Sequence, residues 1–348
     1  MTGAPERILV IGPAWVGDMV LSQVLYRHLH ETRPGVLIDV LAPAWSGPLL
    51  ARMPQVNRVI EMPLGHGDIG MRRRWQLGRE LSQCGYDQAI VLPNSFKSAL
   101  VPWFAGIPRR TGWRGELRYG LLNDLRVLDQ QALPQMAQRF LALGLAPAAV
   151  LPEQYRPPAL QSDRQRGERI AQQHGLDTKQ HLLALCPGAE FGPAKQWPPA
   201  YFAELAGAFL PRGWQVALLG SANDAQACAQ VMSLLRDPAA CRDLAGRTSL
   251  CEAIDLLSVC GGAVSNDSGL MHIAAALGVP QLALYGPTSP QFTPPISPVA
   301  RVLRESIECA PCFERHCPLG HHRCMRDRIP ARATATLESL IRDAGGVV

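Results

Sequence analysis

NDSGLMHIAAALGVPQLALYGPTSP, residues 266–290, contains the repeating unit of the fold in one stretch. Its small polar start, Asn266-Asp267-Ser268-Gly269, suits a helix N-terminus, where the first backbone N–H groups lack intrahelical partners and attract anions. The apolar spacing that follows predicts a helix over 270–277, closed by Gly278 and Pro280. The apolar run Gln281 to Tyr285 then predicts a buried strand, which ends in a second flexible turn at Gly286-Pro287-Thr288. A polar turn, a helix and a strand in this order are a unit of an open α/β sheet, whose ligands sit beyond the carboxyl ends of the strands. The same run also fits an N-capped amphipathic helix of any α/β protein, so the rest of the chain has to decide.

Outward from this stretch, the alternation continues in both directions. Strands are predicted at Ile8–Ile11, Leu37–Leu41, Arg58–Met62 and Gln88–Leu92, and helices at Asp18–His30, Arg72–Gln83 and Leu133–Leu143. Pro152, Pro157 and Pro158 break the pattern between Pro147 and Gln180, which places a domain junction there, with domains over 1–160 and 161–348. Strand Leu182–Cys186, helix Pro199–Leu210, strand Gln215–Leu219, helices Ala222–Leu235 and Cys251–Val259 and strand Gly262–Val264 follow. Two Rossmann-like lobes in tandem are expected, with a last helix over Ala333–Asp343 packing on either one.

The 348 residues exceed one ordinary hydrophobic core, and 47% hydrophobic with 18% charged residues is a globular composition. No apolar run approaches the roughly 18 residues of a membrane span. The start of the chain reads as a strand and lacks the pattern of an export signal, so a cytoplasmic protein is expected. Net charge is +5, and all of the excess lies in residues 1–160, which points to an acidic ligand on the first lobe. Its basic residues are not interleaved with aromatics in a nucleic-acid module, so no nucleic acid is expected. Ten cysteines without an export signal read as thiols, six of them scattered as small core residues. The other four, Cys309, Cys312, Cys317 and Cys324, are spaced x2, x4 and x6, with His316, His321 and His322 among them. Either a structural zinc site or a thiol-rich loop fits this spacing.

Four constellations carry chemistry. After the first strand, Gly12-Pro13-Ala14-Trp15-Val16-Gly17-Asp18 is neither GxGxxG nor a phosphate loop, so Asp18 is a proton acceptor or a plain helix cap. After strand Leu182–Cys186, the loop Pro187 to Pro198 holds one lysine, Lys195, placed for a diphosphate or simply solvated. Leu219-Gly220-Ser221-Ala222-Asn223-Asp224 offers an acidic side chain for ribose hydroxyls or another cap. His272 lies one turn into the helix after Asp267. No Asp-x-Asp motif is present, so no catalytic metal or other cofactor is required.

GPAWVGDM at 12–19, LPNSFKSALVPWFAGIPRRTGWRGELRYGLLND at 92–124, CPGAEFGPAKQWP at 186–198 and NDSGLMHIAAALG at 266–278 together resemble the ADP-heptose:lipopolysaccharide heptosyltransferases, glycosyltransferase family 9. The resemblance runs from Ile8 to about Pro295. It implies a GT-B fold, two Rossmann-like domains facing across a cleft, and inverting transfer of heptose from ADP-heptose to the first heptose of a heptosyl-Kdo2-lipid A acceptor. It also implies Asp18 as base and Lys195 as diphosphate contact, with Gly188, Gly220, Ser221, Asp224, Asp267, Ser268, Gly269, Leu270 and His272 around the donor. The matching acceptor candidates are Trp15, Gly17, Asn94, Ser95, Lys97, Arg110 and Arg114, with Arg118 and the run Arg72, Arg73 and Arg74 as further basic candidates. A monomer in peripheral contact with the inner membrane is expected. A heptosyltransferase acting one step earlier, a GT-B epimerase and a non-catalytic sugar-nucleotide binder are the alternatives.

Overall fold

The computed structural model describes residues 5–65 and 67–347. The chain divides into two compact units, Met1–Pro158 and Ala159–Val348. In the first, the elements run β1 (Arg7–Ile11), α1 (Val16–Thr32), β2 (Leu37–Ala42), α2 (Gly47–Leu50), β3 (Val56–Glu61), α3 (Met71–Leu81), β4 (Gln88–Val91), α4 (Leu100–Phe104), β5 (Arg109–Trp113), β6 (Asp124–Arg126) and α5 (Met136–Gly144). All strand pairs are parallel, in the order β3-β2-β1-β4-β5-β6. Ile8 to Val10 are fully buried, as expected of a central strand covered on both faces by helices. A charged group in the same layer, Asp39 of β2, is satisfied by Tyr86 Oη and Asn57 Nδ2, each donating at 2.7 Å. Gly144 lets α5 close onto α1, because a Cβ there would stand 2.5 Å from Leu25 Cδ1.

The second unit continues with α6 (Arg164–Gln173), β7 (Leu182–Cys186), α7 (Pro199–Phe209), β8 (Gln215–Leu218), α8 (Ala225–Leu234), β9 (Cys241–Asp243), α9 (Leu250–Leu257), β10 (Gly262–Asn266), α10 (Gly269–Ala276), β11 (Gln281–Tyr285), β12 (Ala300–Arg304), α11 (Arg323–Arg326) and α12 (Pro330–Asp343). Its sheet, again parallel, has the order β12-β11-β10-β7-β8-β9. Trp197, Phe202, Phe209 and Trp214 are almost wholly buried against it, and the last two meet edge to face at 5.3 Å. Each such side chain contributes on the order of 1.5–3 kcal/mol on burial. Ala333, Leu337 and Ile341 of α12 join this core, so the last helix packs on the second unit.

Strands β5, β6, β9 and β12 are absent from the sequence reading. Three to five residues long and rich in arginine and aspartate, they carry no period to read. Pairing neutralises their charges instead: Asp124 of β6 accepts from Thr111 Oγ1 and Arg126 Nη2 at 2.9 Å and from Arg109 Nη2 at 3.1 Å.

Candidate functional site

In the second sheet the strand order reverses between β7 and β10, so the loops leaving these two strands lie side by side at a switch point. One buried side chain joins them. Asn266 Nδ2 donates to the carbonyls of Pro187 (2.8 Å) and Gly188 (3.3 Å), and its Oδ1 accepts from Trp197 N at 3.1 Å. Both ends of the 187–198 loop are thereby pinned to β10, and Lys195 is held inside it. Trp197, the loop's anchor, donates its Nε1–H to Arg328 O at 3.0 Å.

Lys195 Nζ stands 2.6 Å from Asp267 Oδ2, with side-chain exposures of 13% and 6%. Thr288, in the turn after β11, donates its hydroxyl to the same carboxylate oxygen at 2.6 Å. The ammonium also lies 4.8 Å from the centre of the Phe191 ring. Next to this group α10 begins, with Ser268 as an extended N-cap residue whose side chain makes no capping bond and whose hydroxyl is 3.0 Å from Ser265 Oγ. Gly269 and Leu270 form the first turn. His272 is buried, and its Nδ1 has no hydrogen-bond partner among the described residues. Burial drives its imidazole down to about 4; Asp267 opposes the shift and Lys195 adds to it, so the ring is neutral at neutral pH. An ammonium, a helix N-terminus and a buried neutral imidazole form a site suited to an anion with a hydrogen-bonding body.

Asp267 is therefore committed to Lys195 and Thr288. A carboxylate in that position repels a phosphate, and its bonds to Lys195 and Thr288 fit it to hold the lysine in place. Asp224 is likewise engaged locally: its Oδ2 accepts from Ser221 N and Oγ, both at 2.8 Å, in a capping box. Of the two readings of this residue, the cap is the one its hydrogen bonds express. Gly188 and Gly220 exist to admit it, since a Cβ on Gly188 would fall 2.0 Å from Asp224 Oδ1 and one on Gly220 2.6 Å from Asp224 Cβ.

In the first unit the corresponding switch lies between β1 and β4. Trp15, Gly17 and Asp18 follow β1, with Trp15 exposed as the N-cap residue of α1 and Asp18 half-buried in its first turn. Asn94 and Ser95 follow β4. They are knitted to the loop after β5: Asn94 O accepts from Glu116 N at 3.2 Å, and Glu116 Oε2 accepts from Phe96 N at 2.6 Å. Lys97 is half-buried beside them, and Arg114 is exposed.

Several arginines differ from their sequence reading. Arg110 lies in β5 rather than in a loop, and its guanidinium donates to the carbonyls of Leu121 and Ile107. Arg118 is fully buried and donates to Pro93 O (2.7 Å), Trp113 O and Asn94 Oδ1 (3.3 Å). Arg74 is also buried, bonded to Ile69 O at 2.6 Å. Unsatisfied carbonyls at strand and helix ends recruited these side chains, so they brace loops. The sequence reading also missed Asn266, Phe191 and Arg328 as organisers of the lysine loop. For Asn266 the signal was its place as the last residue of β10; for the other two there was none.

An α/β protein with two parallel six-stranded sheets, a lysine beside a helix N-terminus at one switch point and a carboxylate at the other has the layout of a sugar-nucleotide transferase. The chain belongs to glycosyltransferase family 9 (heptosyltransferase), whose model matches residues 74–323. It is 49% identical over 342 residues to lipopolysaccharide heptosyltransferase 2 of Escherichia coli K12, covering 96% of this chain and 98% of that one. With lipooligosaccharide heptosyltransferase 2 of Haemophilus influenzae it shares 45% over 349 residues, covering 96% of this chain and 99% of the other. The solved structure of E. coli ADP-heptose LPS heptosyltransferase II superposes with a TM-score of 0.88 at 48% identity, covering 98% of this chain and 100% of that chain. The two units are accordingly the Rossmann-like domains of a GT-B glycosyltransferase.

Proposed function

We propose that this enzyme transfers heptose from ADP-heptose to the first heptose of an anionic heptosyl-Kdo2-lipid A acceptor, with inversion at the anomeric carbon. The observation that carries the donor half is the Lys195–Asp267–Thr288 cluster beside the N-terminus of α10, with buried His272, whose Nδ1 has no partner among the described residues. In this reading Lys195 and the Ser268–Gly269 backbone take the negative charge that accumulates on the departing ADP. Charge-assisted hydrogen bonds of this kind contribute about 1.5–3 kcal/mol each. No metal ion or other cofactor is assigned a step.

The first unit supplies the acceptor side. Asp18 accepts the proton of the attacking hydroxyl, help worth roughly 10²–10⁴ in rate. Lys97 and Arg114 are the basic residues offered to the acceptor's carboxylates and phosphates, with Arg72 and Arg73 on α3; Trp15, Gly17, Asn94 and Ser95 complete the group. Arg110 and Arg118 contribute through the loops they brace. Ile69, Met71, Trp75 and Trp103 are exposed on the α3 and α4 side of this unit, where Gly78 and Phe104 bring the helices together, and this apolar group with Arg72 and Arg73 supports peripheral contact with an anionic membrane surface. None of the described helices is long and apolar enough to cross a membrane. The reading places the enzyme, as a monomer, at the cytoplasmic face of the inner membrane.

Incubation with ADP-heptose and acceptors bearing zero or one heptose, followed by mass measurement, tests the assignment. One added heptose on the mono-heptosylated acceptor alone is expected. Addition to the heptose-free acceptor, or consumption of the donor without any acceptor, overturns it. Asp18→Asn should reduce kcat by at least 10²-fold while ADP affinity stays within a few-fold.

A further inference from the structure

Between β12 and α11 lies a segment that the transfer reaction leaves unused. Residues 305–322 form neither helix nor strand, and Phe313 and Leu319 stand half or more exposed. A stretch this short and irregular buries too little to order itself by packing, the situation in which small folds rely on a metal or a disulfide. Yet its cysteines converge. Cys309, Cys312, Cys317 and Cys324, together with His321, line one cavity of about 20 Å³ closed by Ala194 and Pro287 from the neighbouring loops. None of the four is in a disulfide. A space of that size takes roughly one water-sized particle.

The surroundings of Cys317 identify that particle further. Its sulfur accepts from the backbone N–H of His322 at 3.4 Å. A backbone N–H donated to sulfur stabilises a metal-bound thiolate and orients it. No three His, Cys, Asp or Glu side chains among the described residues already stand at metal-ligand distances. Cys309 Sγ and His321 Nε2, for instance, are 4.0 Å apart. The four thiols share one cavity and must close on a metal to ligate it.

We propose that Cys309, Cys312, Cys317 and Cys324 form a tetrathiolate site for one zinc ion. Binding exchanges the four thiol protons for one divalent cation and leaves two net negative charges on the site. The loop between Cys312 and Cys317 touches both loops of the anion site: Arg315 O accepts from Ala194 N at 3.1 Å, Phe313 N donates to Pro287 O at 2.7 Å, and the Arg315 guanidinium lies 5.5 Å from the Phe191 ring centre. Gly192 permits this approach, since a Cβ there would meet Arg315 O at 2.6 Å and its φ is +155°. The zinc thus fastens a buttress behind Lys195 and Thr288. The site stands on the cysteine geometry alone; the buttress role rests on the donor reading above.

Metal analysis of the full-length protein purified without chelator is expected to find one zinc per chain. Release of that zinc from the folded wild-type protein by a thiol-directed mercurial, followed with a colorimetric zinc indicator, reads the site without mutation. Cys312→Ser and Cys317→Ser should cut bound zinc at least tenfold, whereas Cys84→Ser and Cys251→Ser should leave it unchanged. Cobalt added to the metal-free protein should produce a thiolate-to-metal charge-transfer band that Cys317→Ser loses. Protein that purifies without metal and gives no such band, or whose four thiols are oxidised to disulfides, overturns the site. Iron at one per chain, lost in the same two variants, supports the tetrathiolate and overturns zinc. Removal of zinc should raise the Kd for ADP about tenfold; unchanged ADP affinity in zinc-free folded protein overturns the buttress while the metal content still supports the site.

Discussion

Asp267→Asn separates the electrostatics of folding from those of donor binding. At 2.6 Å, and at an effective dielectric constant of about 20, the attraction between Lys195 and Asp267 is roughly 6 kcal/mol before the cost of desolvating both groups is subtracted. Loss of one member of such a pair strands the other charge out of water, at about 3–5 kcal/mol. In the variant Lys195 keeps the backbone carbonyl at position 267, 3.4 Å away in the native protein, and the face of Phe191, so the lower end applies. For a unit of this size about 3 kcal/mol lowers Tm by roughly 6–12 °C. Lys195→Met should destabilise similarly, since Asp267 loses its cationic partner and keeps only neutral hydroxyl donors such as Thr288. The double variant removes both charges and should recover most of the loss. ADP affinity follows a different order: Lys195→Met and the double variant lose about 10- to 150-fold, the equivalent of one charge-assisted contact. Asp267→Asn should bind ADP at least as tightly as the wild type, because the diphosphate takes the place of the missing counter-ion. Thermal unfolding and titration calorimetry with ADP read the two quantities separately. Loss of ADP affinity in Asp267→Asn to the level of Lys195→Met, with the fold intact, would refute the reasoning.

Other consequences are equally direct. With the His272 imidazole held near 4 in the folded state against 6.5 unfolded, the unfolded chain binds more protons between those values. Stability is therefore full above about pH 6.5 and falls as pH drops toward 4, by at most about 3 kcal/mol; denaturant unfolding of wild type and His272→Gln should show this slope shrink in the variant. Gly188→Ala pushes a Cβ into the Asp224 carboxylate and should cost about 1–3 kcal/mol, while Gly207→Ala in α7, where a Cβ meets nothing within 4 Å, should stabilise by about 0.5–1 kcal/mol, both read from Tm. Added Mg²⁺ or Mn²⁺ should leave turnover within twofold; a tenfold activation would assign the metal a step in the reaction.

The elements with strong local periods were legible. Leu182–Cys186 and Gln281–Tyr285 are strands with the predicted bounds, and the helix after Ser268 starts at Gly269, one residue from the predicted start. Such strands are buried on both faces and read as unbroken apolar runs. Asp124–Arg126 and Cys241–Asp243 were not legible, because three residues at a sheet edge owe their extension to a neighbour's hydrogen bonds, which no local pattern encodes. The same distinction holds in the site. The candidates Asp18, Lys195 and His272 lie in loops or near helix starts, where the sequence pattern itself places them.

What the pattern does not contain is who meets whom. Lys195 and Asp267 are 72 residues apart, and they touch because β10 returns to lie beside β7 instead of adding at the far edge of the sheet. A carboxylate next to a cationic anion site reads, from sequence, as one more ligand contact. The geometry shows it to be the lysine's resident counter-ion, since the ammonium is largely withdrawn from water before any substrate arrives and needs a partner to be there at all. In the donor reading proposed above, this carboxylate keeps the buried cation ready and is what the diphosphate displaces. On that reading donor affinity depends on the strength of one ion pair, so substitutions of Asp267 that weaken the pair should tighten ADP binding, whereas loss of Lys195 removes the contact itself.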